Sequence, residues 1–356
     1  MPKPRARELG LPFPGTPGPF NAITDVSGVR VGFCTLTDPA KKMRTGVTAV
    51  LPRDEVGNPQ PVWAGQFTLN GNGEMTGTHW IDDAGYLIGP ICITNTHAIG
   101  AVHHGATQWM IEHYADFFDN HHGWAMPVVA ETYDGMLNDI NALHVKPEHA
   151  IAAIRSAKGG MVEEGSTGGG NGMIAYEFKA GTGTASRKIR LAGHDYTVGA
   201  LVQANHGMRD WLTILGQPVG KLMPEGTWRK KEVGSIIVLI ATDAPLSALS
   251  LRHIAKRASI GIGRGGTPSG NSSGDIFLAF SVANPGPMPQ EGQPFVTQTV
   301  LNNEILDPIY LASVEAVEEA VINAIVAGVD VAAIKPQGLT VRAINTEKLA
   351  ALFGQR

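Results

Sequence analysis

The sequence predicts an α/β protein in which sheet layers are covered by helices. Apolar runs of strand length alternate along the chain with segments whose apolar residues recur at helical spacing. Hydrophobic residues make up 43% of the 356 residues and charged residues only 17%, which allows a substantial buried core. Because no linker-like stretch divides the chain, we expect a single domain over residues 1–356.

The first half of the chain contributes a predicted strand at 46–52 and predicted helices at 99–118 and 147–157. Pro147 suits the first turn of the second helix, where a backbone N–H would be unpaired in any case. Residues 163–187 are dense in Gly, Ser and Thr. Composition allows two interpretations of that segment: a flexible loop, or backbone that closely approaches a site or another strand.

The second half carries the most apolar segment, at 235–241, which follows a glycine and precedes a Thr-Asp-Ala-Pro turn. A run without polar alternation is typical of a central strand buried on both faces. A helix is predicted at 314–327, where Glu315, Glu318 and Glu319 lie near the start and suit the helix dipole. The remaining elements of this half are a strand at 196–204, a helix at 246–258 and a strand at 275–283.

Composition excludes several classes of protein. The 28 Lys and Arg against 32 Asp and Glu give a formal charge of −4 without a basic block, so we expect no nucleic-acid partner. No apolar run reaches the roughly 18 residues of a membrane span, so no membrane partner is expected. Cys34 and Cys92 form no CxxC pair, which argues against a disulfide framework and a thiolate zinc site. The early cations Lys3, Arg5 and Arg7 precede a Pro- and Gly-rich stretch rather than an apolar signal region, so a cytoplasmic location is expected.

Two glycine-rich motifs suggest chemistry that their context does not support. Residues 261–266 match GxGxxG, but they follow a predicted helix and do not open one, so a dinucleotide site is not predicted. Residues 270–274 match the GxSxG pattern of serine hydrolases, yet the predicted strand follows this motif instead of preceding it. The last histidine is His253, so no histidine follows Ser272 as the Ser-acid-His order requires.

Histidines cluster in part between residues 103 and 122, which raises the hypothesis of a metal site. No HExxH pattern is present, and His104 and Glu112 do not lie at close helical spacing. We interpret the clustered histidines as solvent-facing or capping residues and predict neither a metal nor a cofactor, with metal dependence as the alternative. These histidines are His103, His104, His113, His121 and His122.

Gly234 and Ser235 begin the apolar strand, and their chemistry suits an N-terminal nucleophile. A serine after glycine at a strand edge is ordinarily a turn residue. In an intact chain, however, its hydroxyl can attack the preceding carbonyl, and glycine permits the distorted backbone that such an acyl shift needs. Hydrolysis of the resulting ester frees an α-amine on Ser235, whose pKa of about 7.7 to 8.0 suits a general base near neutral pH. No histidine is then required.

Several long motifs, in order from about residue 20 to about residue 340, resemble the L-aminopeptidase/D-alanine-esterase-amidase and β-peptidyl aminopeptidase family. Coverage by several motifs makes this resemblance far more specific than any single pattern. The resembling segments are 70–82 (NGNGEMTGTHWID), 89–96 (GPICITNT), 129–135 (VAETYDG), 164–187, 203–207 (QANHG), 234–246 (GSIIVLIATDAPL) and 271–281 (NSSGDIFLAFS).

The resemblance implies a four-layer α/β/β/α sandwich that is similar to Ntn hydrolases, with the connectivity of ornithine acetyltransferase. Members of the family cleave themselves into two chains that stay associated. Here these would be an α chain of residues 1–234 and a β chain of residues 235–356. The family also implies a homo-oligomer, and we expect a tetramer of processed pairs. The glycine-rich segment at 163–187 is then expected to fold against the site.

The resemblance further implies a role for each site residue. Ser235 would carry the acyl-enzyme, while Asn205 and Tyr133 would donate hydrogen bonds to the oxyanion or the substrate. Glu131 would bind the free amine of the substrate and so restrict cleavage to the N-terminal residue. The remaining pair, Ser273 and Asp275, would orient the nucleophile and its amine.

Without the resemblance, the ordinary interpretations of three of these residues would stand. Tyr133 would be a core residue, Asn205 a turn residue and Asp275 a strand-start cap. The expected activity is that of an aminopeptidase or amidase on small peptides, amides or esters with a free amine. One alternative is an acyltransferase with the same acyl-enzyme, and another is a non-catalytic binding protein. The serine favours hydrolysis over acyl transfer, because the nucleophile of the fold-related ornithine acetyltransferase resembles a threonine rather than a serine.

Overall fold

The computed structural model describes residues 3–53 and 58–354. Within these ranges the strands are β1 (Arg30–Asp38), β2 (Met43–Leu51), β3 (Val62–Gly71), β4 (Tyr86–Leu87), β5 (Ile91–Asn95), β6 (Val128–Thr132), β7 (Ile174–Ala175), β8 (Phe178–Lys179), β9 (Thr182–Leu191), β10 (His194–Asn205), β11 (Ser235–Thr242), β12 (Gly274–Ser281), β13 (Val331–Ala332) and β14 (Thr340–Val341). The α-helices are α1 (Thr78–Ala84), α2 (Ile99–His113), α3 (Ala115–Asn120), α4 (Pro147–Arg155), α5 (Val219–Leu222), α6 (Ala248–Arg264), α7 (Asp307–Val326) and α8 (Thr346–Phe353).

Two large sheets form the centre of the fold. The six-stranded sheet has the order β4-β3-β12-β11-β10-β9, and the four-stranded sheet has the order β1-β2-β5-β6. Each sheet contains one parallel pair, β11 with β12 and β5 with β6, and its other pairs are antiparallel. Helix α6 connects the first parallel pair, and α2 and α3 connect the second. Parallel neighbours need such crossover connections, so both helical layers follow from the pairing.

The alternation of side chains along β11 separates two layers of core. Ile236, Val238 and Ile240 pack among residues of α6 and α7, whereas Ile237 and Leu239 pack against the four-stranded sheet. Every residue of β11 is buried. The uninterrupted apolar run therefore reflects burial on both faces, as predicted.

A third core lies on the outer face of the four-stranded sheet, where Val102 and Trp109 of α2 and Ile154 of α4 meet Val47 and Val129. The layers are thus helix, sheet, sheet and helix. This arrangement confirms the predicted four-layer α/β/β/α sandwich. In the described ranges, no helix is both long enough and apolar enough to cross a membrane.

The predicted elements lie where the structure has them, with three corrections. The helix predicted at 246–258 continues to Arg264 as α6. The helix predicted at 99–118 is interrupted at Tyr114, whose φ of −112° and ψ of 36° end α2 before α3 begins. The helix predicted at 314–327 begins earlier, at Asp307, with a proline in its first turn. Glu315, Glu318 and Glu319 therefore lie in the middle of α7, and the predicted dipole role is wrong.

These acids instead form buried ion pairs. Arg187, on β9, donates from Nη2 to Glu319 at 2.8 Å and from Nε to Glu315 at 3.2 Å, and its side chain is 1% exposed. Arg7 donates to the same Glu319 carboxylate at 2.9 Å. Arg264 pairs with Glu318 at 3.1 Å. The acids thus fasten α7 to the six-stranded sheet and to the N-terminal segment.

The glycine-rich segment at 163–187 is ordered backbone between the sheets rather than a flexible loop. Gly168–Gly172 form a 3-10 helix, and β7, β8 and most of β9 follow. A Cβ on Gly169 would lie 2.3 Å from the Gln203 side chain and 2.6 Å from the Ile93 carbonyl oxygen. The interpretation as closely approaching backbone is confirmed, since no larger residue fits there.

Replacing Arg187 by Met should strongly destabilise the protein, because it leaves the Glu319 carboxylate buried with only part of its positive partner. The expected loss is about 3–5 kcal/mol of unfolding free energy. Arg190→Met is the matched control on the same strand, since Arg190 and its partner Asp195 are both exposed. That control should change stability by no more than about 1 kcal/mol. Thermal unfolding of both variants measures the difference, and equal melting temperatures would contradict the buried network.

Candidate active site

Ser235 is the first residue of β11, at the point where three strands of the six-stranded sheet meet. It lies opposite Asn205 in the antiparallel pair with β10 and opposite Gly274 in the parallel pair with β12. The residue is buried. Because both neighbours pair with β11 along its whole length, the position of the Ser235 hydroxyl is fixed by backbone hydrogen bonds rather than by a loop.

Gly234 precedes it in a space that accepts no side chain. A Cβ at this position would lie 2.1 Å from the carbonyl oxygen of Asn205 and 2.6 Å from the Cα of His206. Both obstructing atoms belong to the backbone, so no rotamer change could relieve the clash. The bond between Gly234 and Ser235 is therefore held directly against the end of β10.

A buried carboxylate lies beside the first residues of β11. Asp275, opposite Ile236 in the parallel pair, accepts hydrogen bonds from the hydroxyls of Ser273 (2.6 Å) and Ser269. Burial raises the pKa of Asp275, and hydrogen bonds from these hydroxyls and from the Ile236 N–H act in the opposite direction. The structure thus brings the predicted pair Ser273 and Asp275 together at the nucleophile strand.

Asn205 has its side-chain amide fixed at both ends. Its Oδ1 accepts from the Ile174 N–H at 2.9 Å, and its Nδ2 donates to the Tyr133 carbonyl oxygen at 2.9 Å. These contacts hold Tyr133 beside β10, although Asn205 ends a strand of the six-stranded sheet and Tyr133 follows a strand of the four-stranded sheet. Tyr133 itself is 44% exposed, so the core interpretation is wrong, and its hydroxyl lies over Gly135.

A cavity of about 570 Å³ opens at Ser235, and Glu131 and Tyr133 line it together with Gly234 and Val233. Glu131 is 4% exposed and lies near the end of β6. Its carboxylate accepts from the Glu74 N–H at 3.1 Å and from the Thr96 hydroxyl. Burial raises the pKa of Glu131, and these two hydrogen bonds act to lower it.

The cavity therefore has a serine hydroxyl on the six-stranded sheet and a buried carboxylate on the four-stranded sheet. Among the described residues, no group of three or more His, Cys, Asp and Glu side chains is placed to hold a metal ion. Such an arrangement can support nucleophilic attack by Ser235 on a carbonyl group whose neighbouring cation faces Glu131.

Comparison with known proteins places this site in a family. The model of peptidase family S58 matches residues 21–338. The chain belongs to peptidase family S58.

Curated proteins and solved structures from several organisms are similar to this S58 chain over nearly its whole length. The beta-peptidyl aminopeptidase BapA of Sphingosinicella microcystinivorans is 46% identical over 98% of this chain and 92% of its own length. The L-aminopeptidase D-Ala-esterase/amidase of Ochrobactrum anthropi has a solved structure that is 54% identical, covers 98% of each chain and gives a TM-score of 0.94. A β-aminopeptidase of Burkholderia sp. is 44% identical over 99% of this chain and 100% of that chain, with a TM-score of 0.90.

These comparisons confirm the predicted family and the predicted hydrolase: the S58 chain is an aminopeptidase. The Ochrobactrum structure is described as a new variant of the Ntn hydrolase fold, which confirms the predicted fold class. None of the relatives named above is an acyltransferase, so the alternative gains no support.

The glycine-rich motifs and the clustered histidines, to which no site was assigned, lie in the following parts of the S58 chain. Residues 261–266 form the end of α6 and the turn after it; residues 270–273 form the turn before β12, and Gly274 begins that strand. Of the clustered histidines, His113 stacks on Trp109, and His121 stacks on Phe117 and contacts Glu291 at 2.9 Å.

One site residue was missed by sequence reasoning. Glu232, three residues before the nucleophile, is buried and accepts from the N–H of Gly207 at 2.6 Å and of Gly270 at 2.7 Å. It therefore ties the segment before Gly234 to the turns that follow Asn205 and precede Ser273. A lone acid in an exposed-looking Lys-Lys-Glu run gives no local signal, since both partners are distant in sequence.

Gly234→Ala should force the start of β11 away from β10, because its Cβ meets backbone atoms that cannot move aside. Overpacking of this kind costs about 1–3 kcal/mol. Gly263→Ala is the control, since nothing lies within 4 Å of a Cβ there. Thermal unfolding should show a loss of stability for Gly234→Ala only. A Gly234→Ala variant as stable as the Gly263→Ala control would show that the close approach is not required.

Proposed function

We propose that this S58 aminopeptidase processes itself before Ser235 and then uses Ser235 as the nucleophile for short peptides, amides or esters with a free amine. The observation that carries the proposal is the placement of Ser235, at the head of a fully paired strand and in one cavity with the buried Glu131. Gly234, which accepts no side chain, supplies the carbonyl group that is attacked first.

In the intact chain, the Ser235 hydroxyl oxygen attacks the Gly234 carbonyl carbon and its proton passes to the departing amide nitrogen. The C–N bond breaks and an ester joins Gly234 to Ser235. Water then hydrolyses the ester, which leaves a carboxylate on Gly234 and restores the hydroxyl. The products are the α chain of residues 1–234 and the β chain of residues 235–356, whose first residue now carries a free amine.

In turnover, this amine removes the hydroxyl proton as the Ser235 oxygen attacks the substrate carbonyl. The leaving group takes that proton, and water hydrolyses the acyl-enzyme. The Asn205 Nδ2 has a second hydrogen beyond the one given to Tyr133, and this hydrogen and the Tyr133 hydroxyl are the donors we assign to the oxyanion. Ser273 and Asp275, hydrogen-bonded to each other beside Ile236, orient the start of β11.

Glu131 is assigned to the substrate ammonium. Glu131 lines the same cavity as Ser235, and among the described residues its hydrogen-bond donors are the Thr96 hydroxyl and the Glu74 N–H. A substrate ammonium group can therefore form a charged hydrogen bond that none of these neutral donors supplies. A peptide whose N-terminus is blocked offers no such charge, so the cavity selects the N-terminal residue.

We also propose a homotetramer of processed pairs and a cytoplasmic location. Supporting the assembly, Phe295 and Val296 are 92% and 72% exposed, which is unusual for adjacent large apolar residues. Supporting the location, Cys34 and Cys92 are both free thiols. A sedimentation mass of a single α/β pair would contradict the tetramer, and cell fractionation tests the location.

Substitution separates processing from turnover. Ser235→Ala removes the attacking oxygen, so it should give one uncut chain without hydrolase activity. Glu131→Gln should still cut itself, because no substrate ammonium takes part in that step, but it should lose turnover. Loss of a charged partner costs about 1.5–3 kcal/mol, or roughly ten- to a hundredfold in kcat/KM. Denaturing gels, N-terminal sequencing of the smaller band and steady-state kinetics measure both.

Glu74 is exposed and lines the same cavity, so Glu74→Gln is the matched control. It should reduce kcat/KM much less than Glu131→Gln does. The pH profile adds a second readout. Glu131 must be ionised to bind an ammonium group, and burial raises its pKa above the ordinary value of 4.5. The acid limb of the kcat/KM profile should therefore depend on two protonations, that of Glu131 and that of the Ser235 amine. Glu131→Gln should keep only the limb of the Ser235 amine. A different N-terminus on the smaller band, or full activity of Glu131→Gln, would overturn the respective role.

A further inference from the structure

Arg229 has a largely buried guanidinium, two nitrogens of which have no hydrogen-bond partner among the described residues. Its Nε and Nη1 are shielded from solvent and make no hydrogen bond to any residue in the described ranges. Within the described ranges, Nη2 of Arg229 donates to the Met136 sulfur at 3.8 Å, and the Arg229 Cζ lies 5.6 Å from the centroid of the Trp228 ring. A guanidinium shielded in this way is costly unless an anion joins it.

Two carboxylates, Glu177 and Glu232, act on the Arg229 charge but accept their hydrogen bonds from other groups. Glu177 accepts from the N–H groups of Trp228 and Arg229 at 2.6 and 2.7 Å, and Glu232 accepts from two glycine N–H groups. Burial lowers the pKa of Arg229, and the charges of Glu177 and Glu232 act to raise it. Within the described parts of the chain, however, neither carboxylate forms a hydrogen bond or ion pair with the guanidinium, so its Nε and Nη1 remain available to a further anion.

Arg229 lines a small cavity of about 100 Å³ that is distinct from the active-site cavity. Arg229, Met136, Ile174 and Asn205 line it, and Tyr133 and Val233 line both cavities. Its volume is well above the roughly 10–15 Å³ that one water requires, so a carboxylate group fits. Val233 and Tyr133 therefore form the wall between this cavity and Ser235.

The segment before the nucleophile is anchored so that only its last two residues can move. Glu177 holds the backbone at Trp228 and Arg229, and Glu232 is held by Gly207 and Gly270. Beyond Glu232 the α chain has only Val233 and Gly234, which span at most roughly 7 Å. Since Val233 already lines the Arg229 cavity, the next residue lies within reach of it.

We propose that this cavity is the binding site for the carboxylate that self-cleavage creates on Gly234, with Arg229 as its partner. The inference rests on the proposed function, because that cleavage is the source of the carboxylate. In the intact chain Gly234 ends in an amide, so Arg229 has nothing to bind. After cleavage, the Arg229 site withdraws Val233 and Gly234 from the active-site cavity, which both residues line, and opens that cavity to substrate.

The test is a titration of the Gly234 carboxyl group in the processed enzyme labelled with [1-¹³C]glycine. Self-cleavage frees the carboxyl group of Gly234, so the Gly234 carbonyl resonance is the one that gains a titration. An opposite charge within hydrogen-bonding range lowers a carboxyl pKa by about 1–3 units. We expect such a depression in the wild type and its loss in Arg229→Gln, with kcat/KM reduced because the tail stays before Ser235. An ordinary C-terminal pKa in the wild type overturns the proposal, whatever the variants do.

Two control variants test whether the effects depend on the charge of Arg229. Arg190→Gln, at an exposed arginine, should leave the Gly234 titration and the kinetics unchanged. Arg229→Lys keeps the charge and should retain most of the pKa depression, so it decides the matter if Arg229→Gln does not fold. Self-cleavage should proceed in both Arg229 variants, because Glu177 binds the Arg229 backbone rather than its side chain.

Substrates identify the source of the bound carboxylate. If Arg229→Gln weakens only dipeptides with a free C-terminus and spares their C-terminal amides, while the Gly234 titration is unchanged, the cavity binds substrate and the proposal is wrong. A wild-type chain that never cleaves before Ser235 overturns the proposed function, and this inference with it. A cleaved chain with an ordinary Gly234 pKa overturns this inference alone.

Discussion

The pairing of β11 with a strand on each side fixes the groups that the six-stranded sheet contributes to the site. Its antiparallel partner ends at Asn205 and its parallel partner begins at Gly274, so the nucleophile, the amide and the Ser273–Asp275 pair share one end of one sheet. Because all of β11 is buried, a shift of one residue in register would move its apolar side chains to the wrong core layer and Ser235 off the cavity. The stability of the core and the geometry of the site are therefore set by the same hydrogen bonds.

The second sheet contributes the opposite wall of the cavity. Glu131 follows three apolar residues of β6 that pack in the cores on both faces of the four-stranded sheet, so its carboxylate is carried to the cavity by a rigid strand. The distance between nucleophile and carboxylate is thus determined by how the two sheets pack, through residues such as Ile237 and Ile93. In the proposed function, selection of the N-terminal residue therefore depends on how the two sheets pack, since Ser235 and Glu131 both lie on strands.

Sequence reasoning found the parts of this design that have a local signal. The apolar run after Gly234 identified β11 and its burial, and the motifs resembling the family identified Glu131, Asn205 and Asp275. It misjudged the start of α7, although the Asp307-Pro308 pair is an ordinary helix-start signal. Glu232 and Arg229 escaped notice for a different reason: their partners, Gly207, Gly270 and the wall near Met136, lie far away in the sequence. Neither pattern nor composition encodes such contacts.

The anchors on either side of the Gly234–Ser235 bond suit the proposed order of self-cleavage followed by turnover. In the intact chain, Val233 and Gly234 line the cavity at Ser235, so under that proposal the uncut chain obstructs the space that a substrate must enter. The bond is presented to Ser235 because Glu232 holds one side of it and β11 the other. Once it breaks, the β-chain side stays paired in the sheet, and only the two-residue tail beyond Glu232 gains freedom. A longer tail would have a larger volume to explore and would return to the nucleophile less often, whereas this short one needs a specific partner to keep it away. The only shielded guanidinium beside that tail in the described chain belongs to Arg229, and its charge has the sign that a new C-terminus requires.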